Sequence, residues 1–144
     1  MHSNKIISGL FILLLAGCMI SCNNKPVVEQ KTSEEKQKVE KYYNADHTEV
    51  IKEIKYYKNG QKEVEGGYKN KQRDGLWTYW FENGKKWSEG TFNEGVEEGL
   101  RSVYYENGTK RHEGMYLHGK ETGIWKFWDE NGVLIKQIDY SKIK

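Results

Sequence analysis

The chain has 144 residues, 31% of them charged, and a formal net charge of +2. This length accommodates one domain and a tail, and the near balance of charge excludes the strongly basic face that nucleic-acid binding requires. Aromatic residues make up 13% of the sequence, with five Trp and ten Tyr. Because disordered chains are usually poor in aromatic residues, the composition indicates a folded domain whose apolar surface consists mostly of rings.

The N-terminus has the features of a lipoprotein signal peptide. An apolar run of ten residues, from Ile6 to Leu15, follows a positively charged start. This length suits a signal peptide and is too short to span a bilayer. The sequence LAGC that follows resembles a bacterial lipobox, in which the cysteine is lipidated and the peptide is cut before it. We therefore expect residues 1–17 to be removed and Cys18 to carry the lipid, with Cys22, also preceded by a small residue, as the alternative.

These features predict an exported lipoprotein anchored to a membrane, and we expect the outer membrane, with the domain facing the periplasm or the cell surface. Each buried CH₂ of a lipid anchor contributes about 0.8 kcal/mol to membrane binding. Both cysteines precede the domain, so no disulfide framework is expected within it. Residues 18–48 are polar and charged, which is typical of a flexible tether.

Four Asn-Gly pairs divide the rest of the chain, and each Asn lies 24 residues after the previous one. An Asn-Gly pair between aromatic-rich runs favours a β-hairpin with a two-residue type I′ turn. Self-similarity at a fixed period indicates a repeat array. We predict an all-β fold over residues 49–144, an elongated single-sheet array of antiparallel β-hairpins with a 24-residue repeat. The predicted structural turn residues are Asn59, Gly60, Asn83, Gly84, Asn107, Gly108, Asn131 and Gly132.

A two-residue turn also fixes which residues face each other across a hairpin. In the second hairpin it predicts that Trp80 faces Trp87 and that Trp77 faces Gly90. A ring lying over a strand glycine shields the backbone from water, so we expect the face with the glycines and rings to be the better packed. The predicted binding residues lie on the opposite face, and they are Trp80, Trp87, Tyr104, Arg111 and Trp128.

The segments GLWTYWFENGKKWSEGTFNEGVEEGL and GIWKFWDENGVLIKQIDY resemble the bacterial variant of the membrane occupation and recognition nexus (MORN) repeat. The resemblance covers residues near 50 to 144, and it departs from the family pattern at Arg101, where Trp is preferred, and at Ile138, where Gly is preferred. It implies an array of β-hairpins. Many bacterial members are labelled antitoxin components, and eukaryotic relatives are linked to membranes and protein scaffolding.

No residue pattern indicates catalysis or a bound metal. His112 and His118 lack a nearby cysteine or spaced carboxylates that would complete a metal site, and the adjacent Glu97 and Glu98 point apart if they lie on a strand. Nucleophile-elbow, phosphate-binding and dinucleotide-binding patterns are missing from the sequence. From Glu49 onward there are 17 Lys and Arg against 16 Asp and Glu. We expect no catalytic residue, no metal, no cofactor and no nucleic-acid partner.

Two classes of function fit these expectations. The first is a non-catalytic protein-interaction or scaffold module in the cell envelope, whose partner is an envelope protein. The second is a glycan- or peptidoglycan-binding module, and a neutralising, antitoxin-like role in the envelope is a further alternative. A glycan reader requires three or more exposed, roughly coplanar rings in a row, whereas a protein-interaction module requires an exposed sheet edge or a mixed apolar and charged patch. The sequence leaves the partner and the oligomeric state open.

Overall fold

A computed structural model of the chain describes residues 28–30 and 37–142. These residues form ten β-strands in one antiparallel sheet, in which each strand pairs with the next in the sequence. The predicted all-β, single-sheet array of hairpins is confirmed. The strands are β1 (Val28–Gln30), β2 (Val39–Tyr43), β3 (Val50–Tyr56), β4 (Lys62–Lys69), β5 (Gln72–Trp80), β6 (Lys86–Asn93), β7 (Val96–Tyr104), β8 (Lys110–Leu117), β9 (Lys120–Trp128) and β10 (Leu134–Asp139), and a 3₁₀ turn follows at Tyr140–Lys142.

The sheet begins before the first Asn-Gly hairpin. β1 and β2 lie within residues 18–48, which the sequence predicted to be a flexible tether, and β2 pairs with β3. Residues 39–43, VEKYY, include the β-branched and aromatic residues that favour a strand, so this part of the predicted tether is sheet. The predicted signal peptide, Cys18 and Cys22 lie outside the described residues.

The Asn-Gly turns differ from the predicted type I′ geometry. At each turn φ is positive at the glycine, as at Gly60 (86°) and Gly108 (94°), but not at the preceding Asn. The Gly60 N–H donates to the Tyr57 carbonyl at 3.0 Å, and the Tyr57 N–H donates to the Gln61 carbonyl at 2.8 Å. This is a three-residue loop that ends in a left-handed glycine. Positive φ at both central residues, as type I′ requires, occurs instead between the hairpins, at Asn70-Lys71, Glu94-Gly95 and His118-Gly119.

A β-bulge follows each Asn-Gly turn. In the second hairpin Trp80 pairs with Lys86 and Tyr79 pairs with Ser88, so Trp87 is the extra residue. The predicted pairing of Trp80 with Trp87 is therefore wrong, because the three-residue loop shifts the register by one position. The bulge shifts it back, and Trp77 pairs with Gly90 as predicted. The equivalent bulged residues of the four hairpins are Glu63, Trp87, Arg111 and Ile135.

One face of the sheet, here called the glycine face, holds most of the core. Trp77 and Trp125 are only 4% and 3% exposed, and Phe92 is buried beside Trp77. A Cβ built at Gly66 would lie 2.1 Å from Cδ2 of Trp77, so the ring lies directly against the backbone of β4. The better-packed face was thus predicted correctly. The covered glycine, however, belongs to the strand before the ring and not to its hairpin partner.

The same contact recurs along the array, with one change in the middle and one at the last strand. Trp125 covers Gly114 as Trp77 covers Gly66, whereas the flexible side chain of Arg101 covers Gly90. Ile138 occupies the corresponding position on β10. The last strand of the described sheet therefore carries a branched side chain where the three earlier strands carry a glycine.

The Asn side chains of the turns connect neighbouring hairpins. Asn107 Nδ2 donates to the Glu130 carbonyl of the next turn at 2.8 Å, and its Oδ1 accepts from the Thr109 N–H at 2.8 Å. Asn59 and Asn83 repeat both contacts. These bonds run from one turn to the next, so they give Asn a structural role that does not depend on positive φ.

We expect Asn107→Ala to lower the free energy of unfolding by about 1–2 kcal/mol, because it removes at least two hydrogen bonds worth roughly 1 kcal/mol each. Asn131→Ala is the matched control, since no further Asn-Gly turn follows Asn131 in the described chain. Urea unfolding of both variants measures the difference. The N–H two residues after Asn131 donates to Asp129 instead, so equal midpoints for the two variants would mean that the two bonds of Asn107 together do not stabilise the sheet.

Gly108→Val is expected to cost about 1–2 kcal/mol or more, because a β-branched residue is strained at the φ of 94° found there. Gly108→Asn is the control, since Asn tolerates positive φ far better. Thermal unfolding distinguishes the two variants. An unchanged midpoint for Gly108→Val would contradict the left-handed assignment of this turn.

Candidate interaction surface

The bulges divide the five predicted binding residues between the two faces of the sheet. The ring of Trp87 contacts Tyr79 and Phe81, with centroid separations of 6.0 and 6.1 Å, which places Trp87 on the glycine face. The Arg111 guanidinium lies 5.8 Å from the ring centre of Tyr105, the residue equivalent to Phe81. The prediction that Trp87 and Arg111 share a face with the other three is wrong, because a bulge adds a residue and breaks the alternation of side chains.

The opposite face, here called the ladder face, carries a row of half-buried rings near the Asn-Gly turns. The row contains Tyr56, Trp80, Tyr104 and Trp128. The ammonium group of Lys62 lies 5.6 Å from the ring centre of Trp80, and Lys110 has the same distance to Trp128. A cation over a ring contributes about 0.5–1 kcal/mol at exposed sites. These lysines therefore cover ring surface that would otherwise face solvent.

Each of these two lysines, and also Lys86, pairs with a glutamate three residues later. The Lys62–Glu65 and Lys86–Glu89 pairs have N–O distances of 2.6 Å, and Lys110–Glu113 has 2.5 Å. The Tyr104 hydroxyl donates to Glu89 at 3.1 Å. Burial favours the neutral form of Glu89, but the hydrogen bonds from Lys86 and Tyr104 outweigh it, so the pKa of this carboxyl is lowered. The charges beside the row of rings are thus already paired with each other.

An apolar stripe lies beside this row on the ladder face. It is formed by Leu76 (57% exposed), Leu100 (52%), Met115 (44%) and Ile124 (55%). Leu100 and Met115 are directly paired, so they share a face. Leu76, Leu100 and Ile124 each follow a glycine with positive φ, at positions 75, 99 and 123. The sequence analysis did not identify this stripe, although the recurrence of Leu76, Leu100 and Ile124 every 24 residues among charged neighbours could have indicated it.

The two histidines near the third hairpin have different surroundings. His112 stacks on Trp125 with a centroid separation of 6.0 Å, and burial, aided by Arg111 and Arg101, lowers its pKa. His118 occupies a turn, where its backbone N–H donates to Glu98 at 2.7 Å. Across residues 28–30 and 37–142, no group of three His, Cys, Asp or Glu side chains is placed to hold a metal ion. The same residues contain no helix long and apolar enough to cross a bilayer.

Comparison with protein families identifies the repeat. A family model described as a MORN repeat variant matches residues 50–70, 73–94, 97–118 and 121–142, which together are more than half of the chain. Each match contains one Asn-Gly hairpin, and the two-residue turns at Asn70-Lys71, Glu94-Gly95 and His118-Gly119 fall at or between the matched segments. The family unit is therefore the hairpin seen in the sheet.

Comparisons with individual proteins add little. No curated protein matches the chain. Among solved structures, the glycosylation-associated protein Gap123 complex from Streptococcus agalactiae is 12% identical, with 74% of this chain and 20% of that chain covered and a TM-score of 0.42. A crystal structure of TarM is 19% identical, with 76% and 21% covered and a TM-score of 0.41. The chain thus spans about a fifth of the length of either protein.

Proposed function

The chain belongs to the MORN repeat variant family, and we propose that it is a non-catalytic protein-interaction module of the cell envelope, held at a membrane by a lipid on Cys18. The observation that supports this function is the ladder face. There the exposed apolar stripe of Leu76, Leu100, Met115 and Ile124 runs beside a row of rings and ion pairs. Contiguous exposed apolar surface with a polar rim is typical of a protein interface.

The arrangement of this face favours a protein over a glycan. A sugar ring stacks on an open aromatic surface, whereas Trp80 and Trp128 are half-buried and each has a lysine ammonium over its ring. The most exposed apolar side chains of the face are aliphatic. The Lys and Glu side chains of this face are already paired with each other, so a partner that covers them does not bury an unpaired charge. This is a mixed apolar and charged patch, as a protein-interaction module requires.

The proposed function is tested by recovery of a partner from envelope extract on the full chain. Leu100→Ser combined with Ile124→Ser should reduce recovery, and Trp80→Ala combined with Trp128→Ala should do the same. Val133→Ser is the control, because Val133 is similarly exposed (58%) but lies at the Asn-Gly turn between β9 and β10. Circular dichroism first confirms that every variant retains the sheet.

Undiminished recovery by both double variants would contradict an interface on the ladder face. Recovery of peptidoglycan or another polysaccharide in place of a protein would contradict the proposal and support the glycan alternative. A recovered protein that is toxic alone and neutralised by this chain would identify the antitoxin-like role as the form that the interaction takes.

The proposed anchor makes a separate prediction. Cys18→Ser should abolish lipid labelling and release the protein into the soluble fraction, because the thiol that accepts the lipid is removed. Cys22→Ser is the control and should remain labelled and membrane-bound. Labelling that survives in Cys18→Ser and is lost in Cys22→Ser would identify Cys22 as the lipidated residue.

A further inference from the structure

The glycine face contains an open groove of about 300 Å³ between the first two Asn-Gly hairpins. Its aromatic lining consists of Tyr57, Tyr79 and Trp87, with Val64 and three polar side chains completing it. Trp87 is 45% exposed even though its ring touches two other rings. The groove lies on the face opposite the proposed protein interface, so it forms no part of that interface.

Two of the rings that line the groove are close together and nearly perpendicular. Tyr79 and Trp87 have centroids 6.0 Å apart and planes inclined at 78°. A flat sugar ring stacks best on one ring or on coplanar rings, whereas a compact group such as a tetrahedral cation can contact two perpendicular rings together. The faces of aromatic rings attract cations, and several rings arranged in this way recognise quaternary ammonium groups.

The charges that line the groove favour a cation. Glu63 lines it and accepts a hydrogen bond from the neutral amide of Gln37, so its negative charge is not cancelled by this partner. Lys55 also lines the groove, but its ammonium group lies 3.3 Å from Glu53, a carboxylate that Lys41 contacts more distantly at 3.8 Å. Burial, followed by the negative charge of Glu63, raises the pKa of the Tyr57 hydroxyl. Across residues 37–142 no ion pair involves Glu63, so the lining presents three rings and one carboxylate that can attract a positive group.

The repeat itself does not require this groove. One hairpin later, the positions of Tyr79 and Trp87 are occupied by Val103 and Arg111, and the position of Glu63 is occupied by Trp87. Because the hairpins share one backbone design, the combination of rings and carboxylate arises from residues that differ between repeats. The Tyr57 hydroxyl donates to the Trp80 carbonyl at 2.7 Å, a contact that Tyr105 repeats with Trp128, so the residues special to this groove are Tyr79, Trp87 and Glu63.

We propose that the groove binds a quaternary ammonium group, with the rings of Tyr57, Tyr79 and Trp87 around the cation and the Glu63 carboxylate beside it. This site is independent of the proposed protein interface. A choline-type ligand has this chemistry, and it can be presented as a soluble molecule or as a lipid headgroup.

The proposal is tested by calorimetric titration of the full chain carrying Cys18→Ser and Cys22→Ser. The probes are choline and 3,3-dimethylbutan-1-ol, which has the same shape but no charge. We expect choline to bind about tenfold more tightly or better, because only the cation gains the attraction of the rings and the carboxylate. Trp87→Ala should abolish binding, and Glu63→Gln should weaken it several-fold. Arg111→Ala, at the equivalent bulge of the next hairpin, should bind choline like the parent protein.

Equal binding of the two probes, or choline binding that survives in Trp87→Ala, would overturn the proposal. Vesicles of phosphatidylcholine and of phosphatidylglycerol then distinguish the sources. Choline binding together with Trp87-dependent binding to phosphatidylcholine vesicles alone would identify a lipid headgroup as an accessible ligand. Choline binding without vesicle binding would identify a soluble or polymer-borne ligand, and binding to neither choline nor vesicles would refute the site.

Discussion

Trp77→Ala is expected to lower the free energy of unfolding by about 3–5 kcal/mol, the range found when a large buried ring is removed. Trp77 is 4% exposed, its ring lies against Gly66, and its Nε1 donates to the Gly67 carbonyl at 3.0 Å. Its ring also meets Tyr68 edge-on at 5.2 Å. The described residues form a single sheet without a second layer, so few neighbouring groups can move in to fill the space.

Urea unfolding followed by circular dichroism measures this loss. Arg101→Ala is the matched control, because Arg101 covers Gly90 as Trp77 covers Gly66. The Arg101 side chain is 22% exposed and pairs with Glu97 at 2.9 Å, so its removal should cost clearly less than removal of the ring. A similar loss for both variants would show that the position, and not the buried ring, determines stability.

Gly114→Ala is expected to destabilise the sheet by about 1–3 kcal/mol or more, as overpacking of a filled site does. A Cβ at Gly114 would lie 2.1 Å from Cδ2 of Trp125, and the rigid ring could avoid it only by moving as a whole. Gly90→Ala is the control, because its new methyl group would meet Cδ of Arg101 at 2.9 Å, and that flexible side chain can shift. Comparison of the two urea midpoints tests the difference.

A double-mutant cycle isolates the contact itself. In a protein that already carries Trp125→Ala, the added Gly114→Ala should cost little, because the ring that would clash is gone. If Gly114→Ala costs the same with and without Trp125, the loss arises from the backbone of β8 and not from the ring.

The four Asn-Gly hairpins and the single antiparallel sheet could be predicted because the 24-residue period repeats without interruption, whereas β1 and β2 lie before that period and were missed. The pairing of Trp77 with Gly90 was also predicted correctly, because two deviations from the predicted hairpin cancel each other. The turn has three residues instead of two, and the bulge at Trp87 restores the alignment. The Asn-Gly pair alone does not reveal the three-residue turn, because part of the role of Asn in this turn comes from its hydrogen bond to the following turn. A bond between two hairpins cannot be recognised from the sequence of one hairpin.

The candidate surface was predictable only in part. Trp80, Tyr104 and Trp128 lie on one face as strand alternation predicted, and their role in binding stays a prediction. Trp87 and Arg111 were assigned to the wrong face because the alternation of side chains fails at a bulge. The bulge could not be recognised from the sequence, because no one residue type marks it: the four bulged residues are Glu, Trp, Arg and Ile. The contact of Lys62 with Trp80 was missed because the two residues belong to different hairpins, and only the pairing between hairpins brings them together.

Ile138 affects what the open edge of β10 can do. An unpaired edge strand is a template on which strands of other molecules can add and grow into fibres. At each of the three junctions between Asn-Gly hairpins a Trp or an Arg lies over a glycine, and the Trp rings leave no room there for a Cβ. A neighbouring molecule that offered its own Trp-bearing strand to β10 would meet the Ile138 side chain at that point. We therefore expect Ile138 to disfavour the addition of such a strand, in the geometry of the repeat, at the last strand of the described sheet.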